Sequence, residues 1–305
     1  MSLAPIALFT FKRPAHTLRT LQALDGNPEF RQSPLHVFCD GPRRPDEEAD
    51  VEATRAIVRE WDHPDKTLHI APANRGLANS IIDGVNRLCG SHGRVIVVED
   101  DLVVAPVFLD FLNRGLDRFS DDTRVMQISG HMFPVDLSTV PADAVFLPFI
   151  TSWGWATWQR AWCHFDPAVA AFDRISVDRE TRRRFDLNHA YPYFAMLQKQ
   201  KAGTIDSWAI RWYLSVFVRD GLVLYPSRSL VNNEGFDGSG TNCGADGSMN
   251  DIEAAAVALR LVRLPSGGID EAAFRAVVTY LSSQHSLWPR AKRQLHQRLT
   301  RLLQT

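Results

Sequence analysis

Apolar runs of strand length alternate with helical stretches along the first hundred residues. PIALFTF is followed by AHTLRTLQAL, and LHVFCDG by a polar helical stretch from Asp46 to Trp61. TLHIA at Thr67 to Ala71 is followed by the segment from Leu77 to Leu88, and RVIVVEDD closes the series. Strands and helices alternating over short links predict an α/β fold with a mostly parallel sheet and helices on both faces. Within RVIVVEDDLVVAP, residues 94–106, an apolar run ends in Glu99, Asp100 and Asp101 and then turns apolar again. Pro106 is placed to open a helix over VFLDFLNRGLDRF. After about Arg118 the alternation loosens into VMQISG, VFLPF and an aromatic stretch. Helical stretches follow from Asp178 to Lys201 and from Asp206 to Arg219. LVLYPS reads as a strand, NNEGFDGSGTNCGADGS as a Gly-rich segment, VALRLVRLP as a strand, and IDEAAFRAVVTYL and the end of the chain as helices.

Composition narrows the class. The 305 residues are 45% hydrophobic and 23% charged, the balance of a globular chain with a large core. A net charge of -1 gives no general attraction to nucleic acid. Only PRAKRQLHQRLTRLL, from Pro289, is strongly basic, and with its leucines it suits the surface of an anionic membrane or a solvated terminal helix. Cys39, Cys89, Cys163 and Cys243 form no CxxC pair, which argues against a zinc site or a disulfide framework and for a reducing, cytoplasmic setting. Met1 to Phe11 lacks a basic leader and a cleavage site, and no stretch approaches the roughly 18 apolar residues of a spanning helix.

The acidic triplet carries the chemistry. Three carboxylates at the end of a buried run read as a strand running into an acidic turn or as a cation site, and Mg2+ or Mn2+ bind through one or two carboxylates plus substrate phosphates. The carboxyl end of a strand is also where open α/β sheets bind ligands. Six of the eight tryptophans fall between Trp153 and Trp212. Trp155, Trp158 and Trp162, or Trp208 and Trp212, can form helical stripes that pack a core, leaving one or two rings for a sugar face. Asp206 begins a helical stretch, as a cap or as a general base among aromatics. Gly235, Gly238 and Gly240 punctuate a segment long enough to close as a lid, with Asp237, Ser239, Thr241 and Asn242 able to meet a phosphate or metal.

Together, PIALFTFKRPAHTLRTLQAL, HVFCDGP, NRGLANSIIDGVNRL, VIVVEDDLVVAPVFLDFLN, TSWGWATWQRAW, IDSWAIRWYL and VNNEGFDGSGTNC resemble, in collinear order, the GT-A (Rossmann-like) glycosyltransferases. Within these the chain is similar to bacterial family-2-like enzymes related to animal N-acetylglucosaminyltransferase I. The resemblance implies a nucleotide-sugar donor, a divalent metal and inversion at the anomeric carbon. It implies that Asp101 binds the metal, Glu99 and Asp100 face the donor sugar and ribose, and Arg13 and Asp40 contact the nucleoside. Asn74 and Asn79 occupy the stretch where relatives contact the base, without the His of the animal enzyme. Trp153, Trp155, Trp208, Gly235, Asp237 and Gly238 fall to the acceptor side and lid, and Asp206 to the catalytic base. Where many relatives carry His after Thr in the Gly-rich segment this chain has Asn242, so weak metal binding is expected in the absence of donor.

The reading divides the chain into a nucleotide-sugar-binding half, 1–118, an acceptor-binding and catalytic half with the lid, 119–250, and a C-terminal part, 251–305. Its partners would be a nucleotide diphosphate sugar, a UDP-sugar first, and a glycan or lipid-linked acceptor, with the basic tail at the inner face of the membrane and no nucleic acid. The alternatives are a sugar-nucleotide nucleotidyltransferase, which lacks its Gly-rich phosphate loop in LFTFKRPAH, and a non-catalytic sugar-binding module, which would need no base.

Overall fold

The computed structural model describes residues 3–138, 140, 143–235 and 267–285. Its first half runs β1 (Ile6–Thr10), α1 (Pro14–Asp25), β2 (Leu35–Cys39), α2 (Glu48–Glu60), β3 (Lys66–Ile70), α3 (Leu77–His92), β4 (Arg94–Glu99), β5 (Leu102–Val104) and α4 (Phe108–Arg118). The second runs β6 (Val125–Ser129), β7 (Ala144–Leu147), β8 (Trp155–Trp158), α5 (Gln159–Trp162), α6 (Phe172–Val177), α7 (Arg179–Phe185), α8 (Tyr193–Lys201), α9 (Trp208–Phe217), β9 (Leu222–Pro226), β10 (Val231–Asn233) and α10 (Glu271–His285).

The expected α/β fold is present. Eight strands form one sheet in the order β3-β2-β1-β4-β8-β6-β9-β7, so a single sheet runs through both halves. Strands β1 to β4 are mutually parallel, β8 runs against β4 and β6, and β7 runs against β9. Every residue of β1 is buried and so is the interior of β4, which is why both read as unbroken apolar runs rather than as an alternation. Helices α1 and α2 pack on each other, while α3 packs on β1 and β4. Right-handed crossovers place α3 on the opposite face, because the path from β3 to β4 reverses the direction taken from β1 to β3.

Four local expectations are corrected. Trp155 and Trp158 lie in β8, not on a helical stripe, and only Trp162 falls on the short α5. The stretch from Asp178 to Lys201 is two helices, interrupted where Leu187, Asn188 and His189 take positive φ and Pro192 follows. Pro106 precedes α4 by two residues, with Val107 as its cap residue. The cap of α9 is Ser207, whose hydroxyl accepts from Ile210 N at 3.3 Å, so Asp206 precedes the helix by two residues. Asp237, Gly238, the rest of the Gly-rich segment through Asn242, the strand expected in VALRLVRLP and the basic tail lie outside the described residues. Among the described residues no helix is long and apolar enough to cross a membrane.

Candidate active site

Strand order reverses between β1 and β4, since the chain leaves β1 toward β2 and returns to pair β4 on its other side. Such a switch point opens a crevice at the carboxyl ends of its strands. The register sets Phe9 of β1 opposite Glu99 of β4, so the residues just beyond both strands meet. Phe11 N donates to Asp100 Oδ2 at 3.0 Å, and Thr20 Oγ1 on α1 donates to the Asp100 carbonyl at 2.9 Å. Arg13 Nη2 donates to Asp100 Oδ1 at 2.6 Å and to Asp101 Oδ2 at 2.9 Å. Arg13 is thus held on the acidic turn, where the resemblance implied a nucleoside contact.

The electrostatics of this cluster are lopsided. Asp100 and Asp101 are 4% and 7% exposed, and one guanidinium faces both. Burial, with Asp101 and Asp100 beside it, pushes the Glu99 carboxyl well above the usual range. Burial also raises Asp100, an effect that Arg13 opposes. Burial alone would loosen the proton on Arg13, but the charges of Asp100 and Asp101 outweigh it and hold the guanidinium ionised. Two polar atoms stay over. Asp101 Oδ1 and Arg13 Nη1 are buried with no hydrogen-bond partner among the described residues.

A strap closes over the turn. Strand β10 pairs antiparallel with β5, setting Asn233 opposite Leu102, and Glu234 N then donates to the Asp101 carbonyl at 2.9 Å. Arg19 on α1 donates to Glu234 at 2.5 Å. At Gly235 a Cβ would run into Asp101 Oδ2 and lie 3.1 Å from Arg13 Nη1, so only glycine fits against this ion pair.

The loop after β2 is organised differently. Asp40 Oδ1 accepts from Gly41 N at 2.9 Å and Arg75 N at 2.8 Å, while Oδ2 accepts from Gly76 N and Asn74 Nδ2, both at 3.0 Å. Asp40 and Asn74, expected at the nucleoside and base, spend these groups on each other and on the backbone of Gly41, Arg75 and Gly76. Asn79 is exposed and donates to the Arg75 carbonyl at 2.8 Å. It lines a cavity of ≈ 440 Å³ along α3 with Arg75, Ile82, Asp83 and Asn86, beside this loop.

Strand β8 delivers the aromatic segment to the same end of the sheet. Its antiparallel pairing sets Trp155 opposite Val97, so Trp153 and Gly154 lie toward Glu99. Gly154 has φ +61°, and a Cβ there would sit 2.8 Å from the Phe108 ring. The acceptor contacts expected of Trp155 and Trp208 do not match their placement. They are 0% and 4% exposed and stack on each other at 4.9 Å, as core. Trp153 is the half-buried ring of the three. Asp206 is exposed and accepts from Arg211 Nη2 at 2.5 Å, just ahead of Trp208.

His131 is the residue that the sequence pattern did not single out. It follows β6 by two residues, packs edge-on against Trp153 at 4.5 Å, and turns Nδ1 toward Ser229 Oγ at 3.3 Å. Burial lowers its pKa to about 3. The signal lay in topology: like Arg13, Asp40 and Asp101, it stands just past a strand's carboxyl end, but β6 is a neighbour of β8 and not of β4.

Among the described residues no three His, Cys, Asp or Glu side chains converge as a metal cage. A buried carboxylate with an unpartnered oxygen does fit Mg2+ or Mn2+, which take one or two protein carboxylates and complete their shell with phosphate and water. Asp101 is the side chain with that unpartnered oxygen, and Asp100 is its neighbour.

No protein-family profile matches the chain, and no curated protein does. Solved structures are similar over part of it, and two of them are as follows. A mannosyltransferase from Pyrobaculum calidifontis, in complex with GDP-Man and Mn2+, is 14% identical with a TM-score of 0.39, over 71% of this chain and 72% of its own. Glucosyl-3-phosphoglycerate synthase from Mycobacterium tuberculosis, in complex with Mn2+, UDP and phosphoglyceric acid, is 13% identical with a TM-score of 0.33, over 58% of this chain and 66% of its own. Likeness at this level carries no function across.

Proposed function

We propose that this chain is a GT-A glycosyltransferase that moves a hexose or N-acetylhexosamine, with inversion, from a nucleotide diphosphate sugar to a hydroxyl of a glycan or glycolipid. The observation that carries the reading is Asp101 Oδ1, a buried and unpartnered carboxylate oxygen at the switch point of an α/β sheet. The collinear resemblance of seven segments supplies the reaction class.

Asp101, with Asp100 beside it, would hold a divalent metal, which when bound neutralises charge on the leaving diphosphate. Arg13 adds a fixed positive charge at the same point. On the acceptor side, Trp153 offers a half-buried aromatic ring and His131 a neutral imidazole beside it. The acceptor oxygen attacks the anomeric carbon as the bond to the diphosphate oxygen breaks, and the hydroxyl proton passes to Asp206. Arg211 orients that carboxylate at the head of α9.

Asp206→Asn tests the base. Thermal stabilisation by donor should persist while turnover falls by about 10²-fold or more. Near-normal turnover in that variant, with collapse in Asp237→Asn, would transfer the role to the Gly-rich segment. Unchanged sugar binding with no turnover in any form would favour the binding module instead.

A further inference from the structure

Two buried carboxylates and one guanidinium leave the acidic turn with a net negative charge, and Arg13 already occupies the side of Asp101 that it can reach. The arrangement is half-used on both partners. Arg13 spends Nη2 on both aspartates and leaves Nη1 without a partner, while Asp101 spends Oδ2 and leaves Oδ1. The backbone under Arg13 is fixed, because it is the cap residue of α1 with Pro14 next to it, so a change of partner falls to the side chain. A guanidinium and a divalent cation on one buried carboxylate repel each other at low dielectric. Moving Arg13 away with nothing to receive it would leave both a buried cation and Asp100 uncompensated. A diphosphate removes both obstacles, since its oxygens accept a guanidinium fork and its charge draws in the metal.

We propose that Arg13 is a resident counter-ion that stands in for the metal. It neutralises Asp101 in the free protein, keeps a lone divalent ion out, and gives up the carboxylate when the ion arrives with a diphosphate to receive the guanidinium. This makes Arg13 a positioning residue that couples metal entry to donor entry, and it rests on the reading of Asp101 as the metal ligand. It also accounts for a site where no cage of three protein ligands converges among the described residues.

The test is Mn2+ binding, followed by the paramagnetic signal of free Mn2+ with and without UDP or GDP, in the full chain and in Arg13→Gln, Arg13→Lys and Asp101→Asn. Without nucleotide, Arg13→Gln should bind Mn2+ about tenfold more tightly than the unaltered protein, within the usual range of coupling between ligands. Arg13→Lys should fall between the two. In EDTA, Arg13→Gln should melt below the unaltered protein and recover with Mn2+, which leaves the unaltered protein's melting temperature unmoved. Arg13→Lys takes the place of Arg13→Gln where the latter does not fold. Equal Mn2+ affinity with and without the guanidinium, while nucleotide still retains Mn2+ through Asp101, overturns the exchange alone. Mn2+ that no form retains, even with nucleotide, overturns the exchange and the metal reading together.

Discussion

Asp40 and Asp101 make an instructive pair. Each is buried, and each closes a parallel strand just where a crevice opens, in CDG and in EDD. Around Asp40 the chain folds back so that three backbone N–H groups and the Asn74 amide fill both oxygens. Around Asp101 the strap of β10 supplies a donor to the backbone carbonyl only, and the carboxylate is left with one guanidinium and an empty Oδ1. A saturated carboxylate fixes a loop, and an unsaturated one in the same kind of place has an oxygen to spare for a ligand. Donor inventory, not residue type, separates the two.

The comparison breaks if Asp40 is not structural. Asp40→Ala would leave the N–H groups of Gly41, Arg75 and Gly76 without their acceptor, at a cost of about 3 kcal/mol of stability. Urea unfolding reads this directly. An unchanged midpoint together with lost donor binding would move Asp40 from the scaffold to the donor site.

A smaller effect sharpens the point, because His131 is a buried polar group of the same end of the sheet that stays neutral. Its folded pKa, lowered to about 3, lies below the ordinary 6.5. Between these values the unfolded chain takes up a proton that the folded one refuses, so stability falls as pH drops from 6.5 toward 3. His131→Gln should remove that part of the slope, about 2 kcal/mol by pH 5. His36, lowered to about 4 by burial and the neighbouring His69, shares the window, so the quantity to compare is the difference between variant and unaltered protein. Parallel stability curves between pH 7 and pH 4 would show that His131 is solvated in the folded state.

Much of the frame was legible because burial on both faces writes strands as unbroken apolar runs. PIALFTF, LHVFC and RVIVVE gave three adjacent strands of the sheet, and the abrupt EDD marked their carboxyl end. Trp155 and Trp158 misled, since a spacing of three fits a helix and here belongs to a buried strand with no polar face to reveal it. Strands β5 and β10 have three residues each, too few for any period to show. Pairing across distance was invisible as well. Arg13 meets Asp100 across 87 positions, and Asp40 meets Gly76 across 36, neither of which a local pattern records.

The central claim is that Asp101 admits a metal for a nucleotide-sugar donor, and one measurement addresses it. Thermal shift with a panel of UDP, GDP and dTDP sugars, with and without Mn2+, would be run on the unaltered protein and on Asp101→Asn. The account predicts one donor that raises the melting temperature only when Mn2+ is present, and no such rise in Asp101→Asn, whose own melting temperature in EDTA is not depressed. Donor stabilisation that survives EDTA, or that survives Asp101→Asn in full, would contradict it.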